Sequence, residues 1–294
     1  MPDMQRVLVI GRESYIGRSF AGFVQGEGLD VEFAGARDGS WRAMDFIGFS
    51  TVLLAAGLAH RRSTAGDKDL YLAVNRELPL AAAEKAKEAG VGQFIFLSSL
   101  YAYGSKRGEI TARTQENPKD VYGLSKLLAE KALAGLADET FRVAVLRPPM
   151  VYGPGCRGNF PRLAALVRLL PVFPDRPNRR SLIYIDNLCR LLQLIVEHGV
   201  GGLFHPQNED YVNTCDLVME MARAQGRKMR LSRLLNPAVS LFLPFVPAVE
   251  KLFGDLYYDR VMSFENGLPP YNVVGFAESV ARSLAPGQAL DVLG

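Results

Sequence analysis

The sequence predicts an α/β protein, a doubly wound parallel sheet with a smaller, mostly helical C-terminal lobe. Three observations predict it. Short apolar runs alternate with segments of helical spacing through the first half of the chain. A glycine turn, Gly11-Arg-Glu-Ser14-Tyr-Ile-Gly17, stands between the first run and the first helix. After Pro148 the rhythm changes, with prolines at Pro148, Pro149, Pro154, Pro161, Pro171, Pro174 and Pro177.

Gln5-Arg-Val-Leu-Val-Ile10 is short and rich in branched residues, the pattern of a buried strand. Gly11 breaks it, and Ile16 to Gln25 carries helical spacing. Val31 to Ala34 and Thr51 to Ala56 read as the second and third strands, and Phe94 to Leu97 as the fourth. An alanine-rich helix spans Leu70 to Ala89 and stops at Gly90. A further helix runs from Lys119 to Leu136, followed by a strand at Arg142 to Leu146. Leu182 to Ile185 is expected to return as a strand, Asn187 to Glu197 as a helix and Gly202 to His205 as a short strand. The expected division is 1–155 with 181–200 as the sheet domain, and 156–180 with 201–294 as the lobe. There is no internal repeat and no low-complexity segment.

Composition narrows the class. With 294 residues, 48% hydrophobic and 22% charged, the chain can bury a sizeable core and is not disordered. A net charge of +3 does not point to nucleic acid. Cys156, Cys189 and Cys215 have no metal spacing and read as reduced thiols. His60, His198 and His205 form no motif and read as surface or satisfied polar residues. No stretch approaches the roughly 18 apolar residues of a membrane-spanning helix. The chain starts almost directly on a strand, so no signal peptide and a cytoplasmic location are expected.

A parallel sheet binds its ligand beyond the carboxyl ends of its strands, where the glycine-rich turns fall. Gly11 permits the tight turn, Gly17 lets the helix pack on the sheet, and the helix N-terminus faces a phosphate. Ser14 stands where the middle glycine of a dinucleotide turn is usual, and its small hydroxyl still fits. NAD-binding versions usually place an acid at the end of the second strand. Here that place falls on Gly35, and Arg37 lies two residues on. A missing carboxylate removes repulsion, and a guanidinium grips a 2′-phosphate, so NADP is favoured over NAD. The other reading of Arg37 is a solvated loop arginine. Tyr122-Gly-Leu-Ser-Lys126 places a phenol and an ammonium on one helical face. The positive charge is expected to lower the tyrosine pKa and suit it to proton transfer near neutral pH.

Together these elements resemble the extended short-chain dehydrogenase/reductase family, in its NAD-dependent epimerase/dehydratase branch. The resemblance rests on the Gly11 to Gly17 turn, Leu54-Ala-Ala-Gly57, Val74-Asn75, Phe96-Leu-Ser-Ser99, Tyr122-x-x-x-Lys126 and Arg147-Pro-Pro-Met-Val-Tyr-Gly-Pro-Gly155. Gly158-Asn-Phe160 and Asn178 to Asn187 look like the nucleotide-sugar-modifying members. Ser14 and Gly35 depart from the pattern. The resemblance implies a Rossmann-type fold in which Tyr122 exchanges a proton with a sugar hydroxyl. Lys126 lowers the tyrosine pKa and holds the nicotinamide ribose, and Ser99 hydrogen-bonds the substrate oxygen. Tyr15, Ile16, Ala55, Ala56, Gly57 and Pro148 join Gly11, Ser14, Gly17 and Arg37 around the cofactor. Asn75 ties neighbouring strands and loops together. Asn159 and Arg180 match positions that contact the diphosphate of a UDP-sugar, and Lys251 stands where relatives carry a second phosphate-binding arginine.

The resemblance also implies a homodimer through the helices at 70–89 and 119–136, with Ala73, Leu80, Ala81 and Ala83 offering small contacts. Leu234 to Phe253 is unusually apolar. It is expected to be lobe core rather than a membrane-surface patch. The leading reaction is NADPH-dependent 4-reduction of a UDP-4-keto-6-deoxy-N-acetylhexosamine, making UDP-N-acetylfucosamine or UDP-N-acetylquinovosamine for surface polysaccharide. The alternative is an NAD-dependent 4-epimerase of UDP-hexoses or UDP-N-acetylhexosamines using the same Ser99, Tyr122 and Lys126. A non-catalytic NADP-binding regulator is a third reading. A dehydratase fits less well, because Leu100 and Tyr101 stand where such relatives carry an acid pair.

Overall fold

The computed structural model describes residues 5–58, 67–105, 107–243, 245–264 and 267–285. His60 lies outside the described residues. In chain order the first half forms β1 (Gln5–Ile10), α1 (Tyr15–Phe23), β2 (Leu29–Ala34), β3 (Thr51–Leu54), α2 (Lys68–Leu72), α3 (Leu78–Glu88), β4 (Gln93–Leu97), β5 (Gly108–Ile110), α4 (Val121–Ala134) and β6 (Arg142–Leu146). The second half forms β7 (Met150–Tyr152), α5 (Asn159–Leu169), β8 (Val172–Pro174), β9 (Leu182–Tyr184), α6 (Ile185–His198), β10 (Gly202–Phe204), α7 (Thr214–Ala224), β11 (Arg230–Ser232), α8 (Asn236–Phe242), α9 (Pro247–Phe253), β12 (Leu256–Tyr258), α10 (Arg260–Phe264) and α11 (Phe276–Ser283).

Six strands pair in parallel in the order β10-β6-β4-β3-β1-β2. Alternating residues of β1 feed two separate cores. Val7 and Val9 pack with Phe20, Leu188 and Leu192 on one face. Leu8 and Ile10 pack with Ala82, Ala86 and Leu133 on the other. Burial on both faces is why the strands read as unbroken apolar runs. The lobe adds α5, α7, α8, α9, α10 and α11 with short two-stranded ribbons β11-β8, β12-β5 and β7-β9. No helix among the described residues is long and apolar enough to cross a membrane.

Four expectations change. The helix at 70–89 is two helices joined by a π-helical turn at Ala73–Glu77. Pro79 supplies the reason, since it has no N–H for the ladder and stands near the start of α3. Residues 202–204, assigned above to the lobe, form β10 and pair with β6 at the sheet edge. The 182–185 strand instead pairs with β7 in a separate ribbon. The segment 234–253 is not simply core: Leu234 is 91% exposed, Phe245 78% and Leu241 64%, whereas Val239 and Phe253 are buried. Hydrophobicity alone does not say which side of a short helix meets water.

Candidate active site

The turn after β1 is shaped for close approach. Gly11 has φ +127°, and a Cβ on it would stand 2.8 Å from the Ala56 backbone nitrogen. Ala55 and Ala56 donate their N–H groups to Ile10, which brings the end of β3 beside this turn. Ser14 caps α1 by accepting a hydrogen bond from Gly17 N at 3.2 Å. Gly17 is buried against Val9 and Ala55. Ile16 is half-buried and packs on the same core. Tyr15 points its hydroxyl at Gly153, and that oxygen is buried with no hydrogen-bond partner. Burial raises the Tyr15 pKa far above its ordinary value.

The end of β2 holds a residue that the sequence reading passed over. A Cβ on Gly35 would lie 2.1 Å from Asp38 Oδ1, so a side chain there would have to displace the Asp38 carboxylate. Asp38 folds back by accepting a hydrogen bond from Ser40 N at 3.0 Å. That bond, with smaller help from Arg12, holds the Asp38 carboxyl below its ordinary pKa. The strand end therefore carries a carboxylate after all, displaced three residues along the chain. The Asp38-Gly39-Ser40 run is a turn signal, which is what gives it away in hindsight. Arg37 is exposed beside it.

At the end of β4, Ser98 N donates to Leu146 O at 2.7 Å and Leu100 N to Pro148 O at 3.1 Å. These bonds lock Ser98-Ser99 against the buried Pro148 segment. Beneath them, Arg147 is 1% exposed. Its Nε lies 3.1 Å from Glu130 Oε1, its Nη2 pairs with Glu130 and Glu116, and Ser98 donates to Glu130. The Arg147 guanidinium also sits 4.6 Å from the centre of the Tyr103 ring. Tyr103 Oη in turn lies 2.7 Å from His205 Nε2, so His205 is a satisfied buried histidine.

Tyr122 occupies the first turn of α4, capped by Asp120 through Gly123 N at 2.7 Å. Gly123 allows the helix to approach the Tyr101 carbonyl, which a Cβ would meet at 2.4 Å. The rings of Tyr101 and Tyr71 stand edge-on to Tyr122 at 6.1 and 6.4 Å. Neither was singled out from sequence as a neighbour of Tyr122. Ser99 stands close enough to Tyr122 to act on its phenol. Burial pushes the phenol up to about 12, while Ser99 acts to pull it down. The expected acidification of Tyr122 by Lys126 is not seen: desolvation is the largest influence on the phenol and raises its pKa, and the Lys126 ammonium donates to Leu97 O instead.

Lys126 is buried one helical turn on and donates to Leu97 O at 2.8 Å. Burial lowers its ammonium to about 8, opposed by Glu130. A Cβ on Gly57 would approach Lys126 Nζ at 3.1 Å and Asn75 Oδ1 at 3.3 Å, so Gly57 keeps this corner open. Asn75 is fully buried in the π turn. It accepts from Leu58 N at 2.9 Å and donates to Ser125 Oγ at 3.1 Å, tying the loop after β3 to α4.

The proposed phosphate residues separate. Arg180 is held by Gly254 O at 2.9 Å, and its charge is felt by Tyr101. Burial lowers its pKa. Asn159 opens α5 and is exposed, as is Lys251 on α9. Arg180 lies close enough to the Tyr101-Tyr122 corner for its charge to favour the ionised Tyr101.

Comparisons with known proteins fit this geometry. A UDP-glucose 4-epimerase from Vibrio cholerae is 37% identical over 199 residues, 64% of this chain and 57% of that protein. An N-acetyl-alpha-D-glucosaminyl-diphospho-ditrans,octacis-undecaprenol 4-epimerase from Escherichia coli O157:H7 is 24% identical over 217 residues, 71% of this chain and 65% of that one. The chain therefore spans less than two thirds of the length of either relative. A crystal structure of UDP-glucuronic acid 4-epimerase from Bacillus cereus, in complex with NAD, shares the fold with TM-score 0.73 at 17% identity over 95% of both chains. A dTDP-4-dehydrorhamnose reductase from Bacillus anthracis str. Ames, in complex with NADP, does so with TM-score 0.70 at 14% identity, over 95% of this chain and 98% of that one. With its glycine turn, sheet order and Tyr122 corner in place, and with residues 7–212 matching the NAD dependent epimerase/dehydratase family, the chain belongs to that family.

Proposed function

We propose that the chain is a nucleotide-sugar 4-epimerase that acts on a UDP-linked hexose or N-acetylhexosamine. The observation that carries this reading is that Ser99, at the carboxyl end of β4, lies close enough to Tyr122 to favour its ionised form, with Lys126 buried one helical turn on and donating to Leu97 O. A dinucleotide fits the turn after β1. Gly11, at φ +127°, lets the turn run directly against the Ala55–Ala56 backbone, where a Cβ would clash, and α1 starts just beyond it, as in dinucleotide turns. Gly11, Ser14, Tyr15, Ile16, Gly17, Ala55, Ala56, Gly57 and Pro148 would hold the cofactor. Bound there, a nicotinamide dinucleotide would supply reversible hydride acceptance at the sugar C4.

The chain's own residues supply the proton chemistry. In its ionised form Tyr122 Oη takes the proton of the C4 hydroxyl and gives it back, and Ser99 Oγ steadies that oxygen by hydrogen bonding. With a pKa of about 8, Lys126 is mostly protonated at neutral pH and supplies positive charge on the face of α4 that carries Tyr122. Arg180 pairs with a substrate phosphate, with Asn159 and Lys251 as outer contacts. On this reading the sheet carries the cofactor, and 159–180 with 212–283 carry the substrate. Two chains pair through α3 and α4; Ala83 is fully buried within its own chain and takes no part.

Asp38 favours NAD, because a carboxylate at the end of β2 repels a 2′-phosphate. Retained NAD suits a cycle with no net oxidation. The reductase reading draws on Arg37, exposed beside Asp38. One experiment separates the two. Purified protein is incubated with UDP-glucose and UDP-N-acetylglucosamine, and the products are resolved by chromatography. Conversion to the galacto sugars without added cofactor supports the epimerase. No conversion, together with NADPH oxidation on a UDP-4-keto-6-deoxy sugar, overturns it in favour of the reductase.

A further inference from the structure

We propose that the outward face of α8, with the basic run before it, seats on an anionic membrane surface. From Leu234 to Val249 the sequence contains no charged residue. Helical hydrogen bonding continues past α8, with Leu243 N donating to Val239 O and Val246 N to Phe242 O. Leu234, Ala238, Leu241 and Phe245 recur at helical spacing and form one stripe. All four are exposed, with Leu234 at 91% and Phe245 at 78%, while Val239 faces the core. A second apolar projection stands beside it. Leu169, 77% exposed, and Leu170 lead into β8, where exposed Val172 pairs in register with Arg230 of β11.

Charge selects the occupant. Arg227, Lys228, Arg230 and Arg233 lie within the seven residues 227–233 and are all exposed; Arg233 pairs with Asp175 at 3.0 Å, and the other three carry the positive face. An apolar helix face bordered by cations is the pattern of interfacial membrane helices, in which apolar burial and attraction to anionic lipid add. A second copy of the chain fits less well. A two-fold contact sets each patch against itself and brings its cations face to face. The seat also borders the candidate site, since α9 follows α8 and Gly254, at its end, holds Arg180. The inference does not rest on the epimerase reading.

Flotation of the full chain with phosphatidylcholine vesicles, with and without phosphatidylglycerol, tests it. The protein is expected to float with the anionic vesicles and to be released by high salt. Leu241→Ser/Phe245→Ser changes exposed residues only and is expected to abolish flotation with an unchanged melting temperature. Arg227→Gln/Lys228→Gln is expected to weaken it more than tenfold, at about fivefold per cation. The proposal is overturned if the wild type stays below the anionic vesicles or if the charge variant floats as well as the wild type. A dimeric mass that halves in the Leu241→Ser/Phe245→Ser variant also overturns it, because a second copy then covers this face.

Discussion

Replacing Arg147 with methionine tests how the floor of the site is held. Arg147 and Glu130 are 1% and 7% exposed. They meet through Nε at 3.1 and 3.2 Å and through Nη2 at 2.5 Å, and Glu130 also accepts from Ser98. Arg147→Met leaves the Glu130 carboxylate buried with the Ser98 hydroxyl donating to it. Breaking a buried pair from one side costs about 3–5 kcal/mol. With an unfolding entropy of about 2.1 cal/mol/K per residue, a chain of 294 residues moves by about 1.6 °C per kcal/mol. The single variant is therefore expected to melt about 5–8 °C lower. Arg147→Met/Glu130→Leu replaces both charges with apolar volume and is expected to recover most of that loss. Melting curves of wild type, both single variants and the double variant, followed by circular dichroism, complete the cycle. If Arg147→Met melts within about 1 °C of wild type, or the double variant is no better than the single, the buried-pair reasoning fails.

Tyr122→Phe is expected to lower turnover at least a hundredfold while retaining cofactor, read by sugar interconversion and by mass spectrometry of the cofactor released on denaturation. Asp38→Ser is expected to raise the NADP-to-NAD affinity ratio on the order of tenfold by removing one like charge near the 2′-phosphate, and an unchanged ratio in titrations would place Asp38 outside cofactor selection. Lys126 has a folded pKa lowered from 10.5 to about 8, so the unfolded chain binds more protons between those values and stability rises with pH across that window. From pH 7.5 to 9.5 this group adds about 2 kcal/mol, or about 3 °C, to the wild type relative to Lys126→Met; equal slopes for the two proteins would contradict the assignment. Asn75→Ala removes hydrogen bonds to Leu58 and Ser125 in a fully buried turn, and a loss of about 2–4 kcal/mol is expected in denaturant unfolding.

Periodicity carried much of the fold because strands buried on both faces and helices with one apolar stripe leave different marks in a sequence. The glycine turn, the order of the first elements, and the spacing of Ser99, Tyr122 and Lys126 are all local patterns, and they were legible for that reason. What needed coordinates is non-local. Asp38 fills the space that Gly35 leaves, although nothing in the spacing from the strand marks it as the strand-end acid. Tyr71 and Tyr101 reach Tyr122 from two other segments, and Pro79 breaks a helix whose alanine-rich pattern looks continuous. The Tyr122 pKa depends on how much water the surrounding chain removes, and desolvation is a property of packing rather than of spacing. The same holds for Leu234, Leu241 and Phe245: residue type decides that they avoid water, and only the tertiary arrangement decides that the chain itself leaves them in it.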